Sequence, residues 1–190
     1  MVSEVLGLSG VGKTYYCEKY SKENNKVIIQ INSKFENTKF VIKFLLKNFR
    51  ISLSILRILM KENSKSILYH KIKLLFRAMA KEEKSKKYEN SIIDEGLLQF
   101  SYSIYDRKTQ DKDYERYIRK VKSLNPKRKI IIIEANEEKR SFQMKLRNRI
   151  PRSKFGIKYA KQIQEIIKVN HQTIKETIKK NFKEIKTINN

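Results

Sequence analysis

Gly7-Leu8-Ser9-Gly10-Val11-Gly12-Lys13-Thr14 has the pattern of a phosphate-binding P-loop, and the apolar run Val2–Leu6 stands directly before it. Cradling phosphate oxygens requires backbone N–H groups to converge on one point. Glycine permits this through close approach and positive φ. Three of the chain's five glycines fall within these eight residues, so the clustering is local rather than compositional. A chance match in a chain of this length is expected on the order of one time in a hundred. Val2–Leu6 reads as a buried strand, and Lys13–Glu23 as a helix whose N-terminal dipole faces the loop. Gly7, Leu8, Ser9, Gly10, Val11 and Gly12 are then expected to surround the phosphates of a nucleoside triphosphate. Lys13 would reach the β- and γ-phosphates, and Thr14 would offer its hydroxyl oxygen to the metal. ATP and Mg2+ are the expected cofactors.

Moving outward, Lys26–Asn32 has the β-branched content of a second strand. From residue 35 to residue 80 the apolar residues recur at helical spacing, as in Phe40, Val41, Phe44 and Leu45, then Ile51, Ile55, Ile58 and Leu59, then Ile72, Leu75 and Met79. The charged run 81–87 reads as a solvated loop. Ser91, Ile92 and Ile93 form a brief third strand, and helices are expected over 97–105 and 113–124. Lys129–Glu134 contains four consecutive isoleucines and is the clearest buried strand in the chain. A basic helix over 137–149 stops near Pro151, a last helical region runs from Ile157 to Phe182, and residues 184–188 form a final short strand. Strands alternating with helices predict an α/β fold with a parallel sheet covered on both faces.

Two further stretches carry chemistry. Ile92-Ile93-Asp94-Glu95-Gly96 places acids at the carboxyl end of a strand, where a carboxylate can hold magnesium or its water shell. With a hydroxyl acceptor, Asp94 or Glu95 can also take the proton. The competing reading is an acidic turn of no special role. Arg140, Arg147, Arg149, Arg152 and Lys154 follow the isoleucine strand. Phosphoryl transfer spreads negative charge over the moving group, and arginines on a closing loop stabilise that charge. An ordinary basic helix face is the alternative.

With these elements in this order, the chain resembles the nucleoside- and nucleotide-kinase branch of P-loop proteins, particularly thymidylate-kinase-like members. Gly7–Thr14 matches the loop, Asp94-Glu95-Gly96 takes the place of that family's Asp-Arg or Glu-Arg pair, and Ile130–Arg149 resembles its strand, acidic turn and helix ending in lid arginines. The resemblance implies a three-layer P-loop NTPase fold: a five-stranded parallel sheet of order 2-3-1-4-5, with the acceptor between the second and third strands. It further implies one domain over 1–190, a helical acceptor-side insertion at 35–87 and a lid at 147–156. Lys13, Asp94, Glu95, Arg147 and Arg149 would be catalytic, Arg152 would join the loop in binding the cofactor, and Thr14 and Asp94 would bind the metal. The implied activity is transfer of a γ-phosphate to a small anionic acceptor such as a nucleotide, nucleoside or sugar intermediate. The chain departs from the family at Glu95, which stands where an Arg usually holds the acceptor's phosphate.

The charge leaves other functions open. Lys and Arg number 44 against 20 Asp and Glu, a formal charge of +24. Such a field draws polyanions and anionic membrane surfaces, or else simply reflects a lysine-rich composition. An NTPase that binds nucleic acid through this surface and a nucleotide-binding regulator without turnover are therefore alternatives. Lys43, Lys47, Arg50, Arg57 and Arg77 sit where an anionic acceptor or membrane headgroups would meet them. The single cysteine, Cys17, is expected to be a small buried residue, and His70 and His171 solvated or packed. With no secretory leader and no long apolar span, a cytoplasmic location is expected.

Overall fold

The computed structural model describes residues 1–60, 62–105, 111–146 and 152–190, apart from the side chain of residue 111. The described residues form five strands and eight α-helices: β1 (Val2–Leu6), α1 (Lys13–Glu23), β2 (Val27–Ile28), α2 (Lys34–Lys47), α3 (Phe49–Leu59), α4 (Lys65–Ser85), β3 (Ser91–Asp94), α5 (Leu97–Ile104), α6 (Asp111–Leu124), β4 (Lys129–Glu134), α7 (Glu137–Leu146), α8 (Ile157–Asn181) and β5 (Ile185–Asn189). A short 3-10 turn at Ser153–Phe155 precedes α8.

The strands pair in the order β2-β3-β1-β4-β5, and every pairing is parallel. Parallel strands need crossover helices, and these cover both faces and bury the strands twice over. The isoleucine run of β4 shows the result directly. Ile130 and Ile132 enter the larger apolar cluster with residues of α3 to α6 and α8, whereas Ile131 and Ile133 enter the smaller one with Val11, Cys17 and Tyr20. The chain thus has the three-layer α/β P-loop architecture.

Two expectations need correction. The second strand is shorter than residues 26–32: only Val27 and Ile28 form ladder positions, although the Ile29 N–H still donates to Ile92 O at 2.9 Å. The chain then turns toward Ser33, whose hydroxyl accepts from the Glu36 N–H and caps α2. The larger correction concerns 81–87. Helix α4 runs on to Ser85, and Lys81, Glu82, Glu83 and Ser85 are buried. High charge misleads here because the charged side chains have partners on other parts of the fold: Lys81 on Asp94, Glu82 on Arg128 and Glu83 on the lysines of α2.

Arg128 explains Glu82. Its guanidinium donates to both Glu82 oxygens at 2.5 Å and to Glu4 on β1, and all three side chains are essentially without solvent exposure. Glu4 Oε1 also accepts the N–H groups of Leu98 (2.7 Å) and Gln99 (3.1 Å), so a β1 carboxylate serves the first turn of α5. Gly96 makes the approach feasible: a Cβ there would lie 2.5 Å from Glu4 Oε1. This arrangement sets where α5 begins, immediately after the acidic turn at 94–95. No helix among the described residues is long and apolar enough to cross a membrane.

Candidate active site

The P-loop and the acidic turn at Asp94 and Glu95 meet at the carboxyl ends of β1 and β3, the edge where open α/β sheets bind ligands. At Gly12 the backbone is left-handed (φ 89°), and an added Cβ would meet Asn190 Nδ2 at 2.8 Å. Gly10 is also left-handed, with φ 90° and the Arg140 carbonyl 2.9 Å from where a Cβ would sit. Both positions favour glycine for their left-handed backbone, and at Gly10 the Arg140 carbonyl adds a steric demand, whereas the Asn190 amide near Gly12 can move aside. Lys13 Nζ donates to Gly7 O and Leu8 O at 3.0 Å each, which folds the ammonium back over the loop.

The loop is braced from outside by residues the sequence did not single out. Gln99 forms a two-bond clamp with Gly7, accepting its N–H at 3.0 Å and donating to its carbonyl at 3.1 Å. Asn190 Nδ2 donates to Val11 O at 2.9 Å. Neither residue has a local signal, because each acts through a contact about 90 or more positions away. Arg140 is buried, pairs with Glu137 at 2.7 and 2.9 Å, and donates to Ser9 O at 3.4 Å. It forms a wall of the loop. The hydrogen bond from Arg140, reinforced by Lys168, holds the Glu137 carboxyl down at about 2.

Thr14 Oγ1 donates to Asp94 Oδ2 at 3.2 Å, which joins the loop to the acidic turn. Asp94 Oδ1 is buried and has no hydrogen-bond partner among the described residues. A hydroxyl oxygen and a carboxylate with a spare buried oxygen form a hard-oxygen donor pair of the kind Mg2+ takes when substrate phosphates and waters complete its shell. The residues present fit that ion. Lys81 approaches from α4 and donates to the Asp94 carbonyl. Burial pushes its pKa down, while Asp94 and Glu95 act to keep it charged. Cys17 lies 1 % exposed beneath the same turn, with burial raising its thiol pKa, so it is an inert packing residue.

Glu95 has φ 60°, a conformation uncommon for a residue with a side chain, and it is exposed. It stands between two cavities. One, of about 470 Å3, runs from Gly7–Ser9 and Lys13 between α4 and α5, with Leu74, Ala78, Phe100 and Tyr102 as an apolar side and Arg77, Gln99 and Arg152 as polar groups. The other, of about 260 Å3, is bounded by Thr14, residues 28–32, Arg77, Lys81 and Asp94. Arg77 and Glu95 line both. A larger cavity of about 520 Å3 lies between α3, α4 and α6 and includes Arg57 but none of the residues of the P-loop or the acidic turn.

Arg152 and Lys154 line the cleft opposite α4. Arg147 and Arg149 lie outside the described residues. Deeper in the wall, the Tyr102 hydroxyl meets His171 Nδ1 at 2.7 Å, and His171 Nε2 lies 3.6 Å from Glu134. Burial holds the His171 pKa below the ordinary histidine value, against the pull of Glu134, and raises that of Tyr102. His70 packs edge-on against Phe155.

No protein-family profile matches the chain, and no curated protein sequence matches it significantly. Solved structures do. A deoxyadenosine kinase from M. mycoides with bound dATP superposes with a TM-score of 0.53 at 18% identity, covering 100% of this chain and 91% of that one. The same kinase with dCMP as product and a flexible dCDP gives a TM-score of 0.52 at 17% identity, covering 100% and 90%. The likeness establishes a shared fold.

Proposed function

We propose that this chain is a phosphotransferase that moves the γ-phosphate of ATP, with Mg2+, onto a nucleoside or nucleotide. The observation that carries the reading is the cleft running from Lys13 between α4 and α5. A hydrolase needs only water at the γ-phosphate, whereas a half-apolar cavity opening at the loop lysine suits a planar base with a sugar directed at the transferring group. The fold shared with a kinase structure holding dATP, and another holding dCMP and dCDP, supports the same class.

In this reading the loop N–H groups and Lys13 hold the β- and γ-phosphates, while Gln99 and Asn190 keep the loop backbone in place. Thr14 and Asp94 would hold the metal, which supplies charge neutralisation across the phosphates. Arg152 faces the group in transfer and stabilises the charge that develops on its oxygens. Glu95, exposed at the junction of the two cavities, accepts the proton when the acceptor atom is a hydroxyl. Arg77 stands on both cavities and replaces, from α4, the cation that related kinases carry at the position of Glu95. Phe100 and Tyr102 offer aromatic surface to the base.

The test is transfer of label from γ-labelled ATP, with and without Mg2+, across deoxynucleosides, ribonucleosides and their monophosphates. Label on one of these acceptors, lost when the metal is chelated, supports the reading. Label released only as inorganic phosphate, whatever the acceptor, identifies a hydrolase and refutes it.

A further inference from the structure

Helix α2 is apolar on two sides. Phe40, Val41 and Phe44 face inward and are buried, packing with residues of α4 such as Leu75, Met79 and Ala80. The other side carries Phe35, Ile42 and Leu46, spaced so that they fall on one helical stripe, and Phe49 follows at the start of α3. These four are 79%, 52%, 80% and 64% exposed. A surface helix needs one apolar face for the core, so the second is unexplained by folding.

Lys39, Lys43 and Lys47 run along one flank of that stripe, with Lys34 and Arg50 at its two ends, all exposed. The two acids nearby are already engaged. Glu36 pairs with Lys84 at 2.6 Å, and buried Glu83 is shared by Lys43, Lys47 and Lys86 at 3.8, 3.2 and 2.7 Å. The face is therefore apolar at its centre and cationic at its rim.

We propose that this face of α2 docks on an anionic lipid bilayer, with Phe35, Ile42, Leu46 and Phe49 at the acyl boundary and the lysines among the headgroup phosphates. Charge complementarity selects the occupant. A second copy would bring two like-charged rims together, and a nucleic acid would use the cations but leave the stripe in water. A bilayer rich in acidic lipid satisfies both features at once. The face begins two residues after Asn32, which lines the smaller cavity, so docking lies beside the cleft without occupying it.

The experiment is co-sedimentation of the full chain with phosphatidylcholine vesicles and with mixed phosphatidylcholine–phosphatidylglycerol vesicles. Binding is expected only to the mixed vesicles. The double variant Ile42→Gln, Leu46→Gln is expected to reduce that binding about tenfold or more while leaving the melting temperature unchanged. No binding of the native chain to mixed vesicles overturns the proposal. So does a double variant that binds them as well as native, because charge alone then explains the attraction. A lipid-free dimer that the same variant disperses also overturns it, in favour of a second copy. The outcome does not depend on whether the chain transfers phosphate.

Discussion

Adjacent residues of α4 serve two charged clusters built on opposite principles. Glu82 joins Arg128 and Glu4, where both carboxylates bind one guanidinium and Glu4 uses its remaining capacity on the N–H groups of α5. Lys81 joins Asp94, Thr14 and Glu95, where Asp94 Oδ1 has no partner and Glu95 stands exposed in a left-handed conformation. The first cluster is closed to solvent and holds β1, α4, α5 and the start of β4 together. The second is open, with oxygens left over for a ligand. The two clusters differ in which group is left over: in the first both carboxylates have partners and the donor Arg128 Nε goes unpaired among the described residues, whereas in the second it is a carboxylate oxygen, which can take a cation.

The sharpest way to break the contrast is Arg128→Leu. It leaves two buried carboxylates facing each other without a cation and is expected to cost about 3–5 kcal/mol in chemical denaturation. Replacing the set as Glu4→Gln, Arg128→Leu, Glu82→Leu is expected to recover most of that loss, because the Gln carbonyl still serves α5. If the single variant is as stable as the native chain, the closed cluster does not hold the fold.

A smaller effect is expected from Gly96→Ala. Its backbone φ of −86° suits alanine, but the new Cβ would fall 2.5 Å from Glu4 Oε1. Displacing that carboxylate is expected to cost about 1–3 kcal/mol, read as a lower melting temperature. An unchanged melting temperature would mean that Glu4 yields freely and does not position α5.

The smallest effect concerns pH. Burial depresses the pKa of His171, so the folded chain binds that proton less readily than the unfolded one. The stability this contributes is present above the unfolded histidine value of about 6.5 and is lost as pH falls toward the folded value. His171→Gln is expected to flatten the decline in stability as pH falls below about 6.5. An identical pH profile in the variant would assign the decline to other groups.

Much of this was readable in the sequence because it depends on neighbours along the chain. The P-loop, the isoleucine strand and the spacing of α8 are local patterns, and the structure has them at or within a residue or two of the expected positions. The run 81–87 was not readable in that way. Its burial depends on Arg128, 46 residues on from Glu82, and on Asp94, so charge density alone gave the opposite answer. Gln99 and Asn190 were hidden for the same reason, since each reaches the loop from far along the chain. Arg77 was legible as a cation but not as the residue shared by both cavities.

The open cluster is where we propose that phosphate is transferred. The most direct test is the rate of label transfer from γ-labelled ATP by Asp94→Asn beside the native chain, with melting curves on the same samples. Asn keeps the shape and a hydrogen-bonding oxygen but removes the charge. A loss on the order of 10²- to 10³-fold in transfer is expected, with melting essentially unchanged. Transfer at the native rate, or a loss of activity that merely follows a loss of folding, would contradict the proposal.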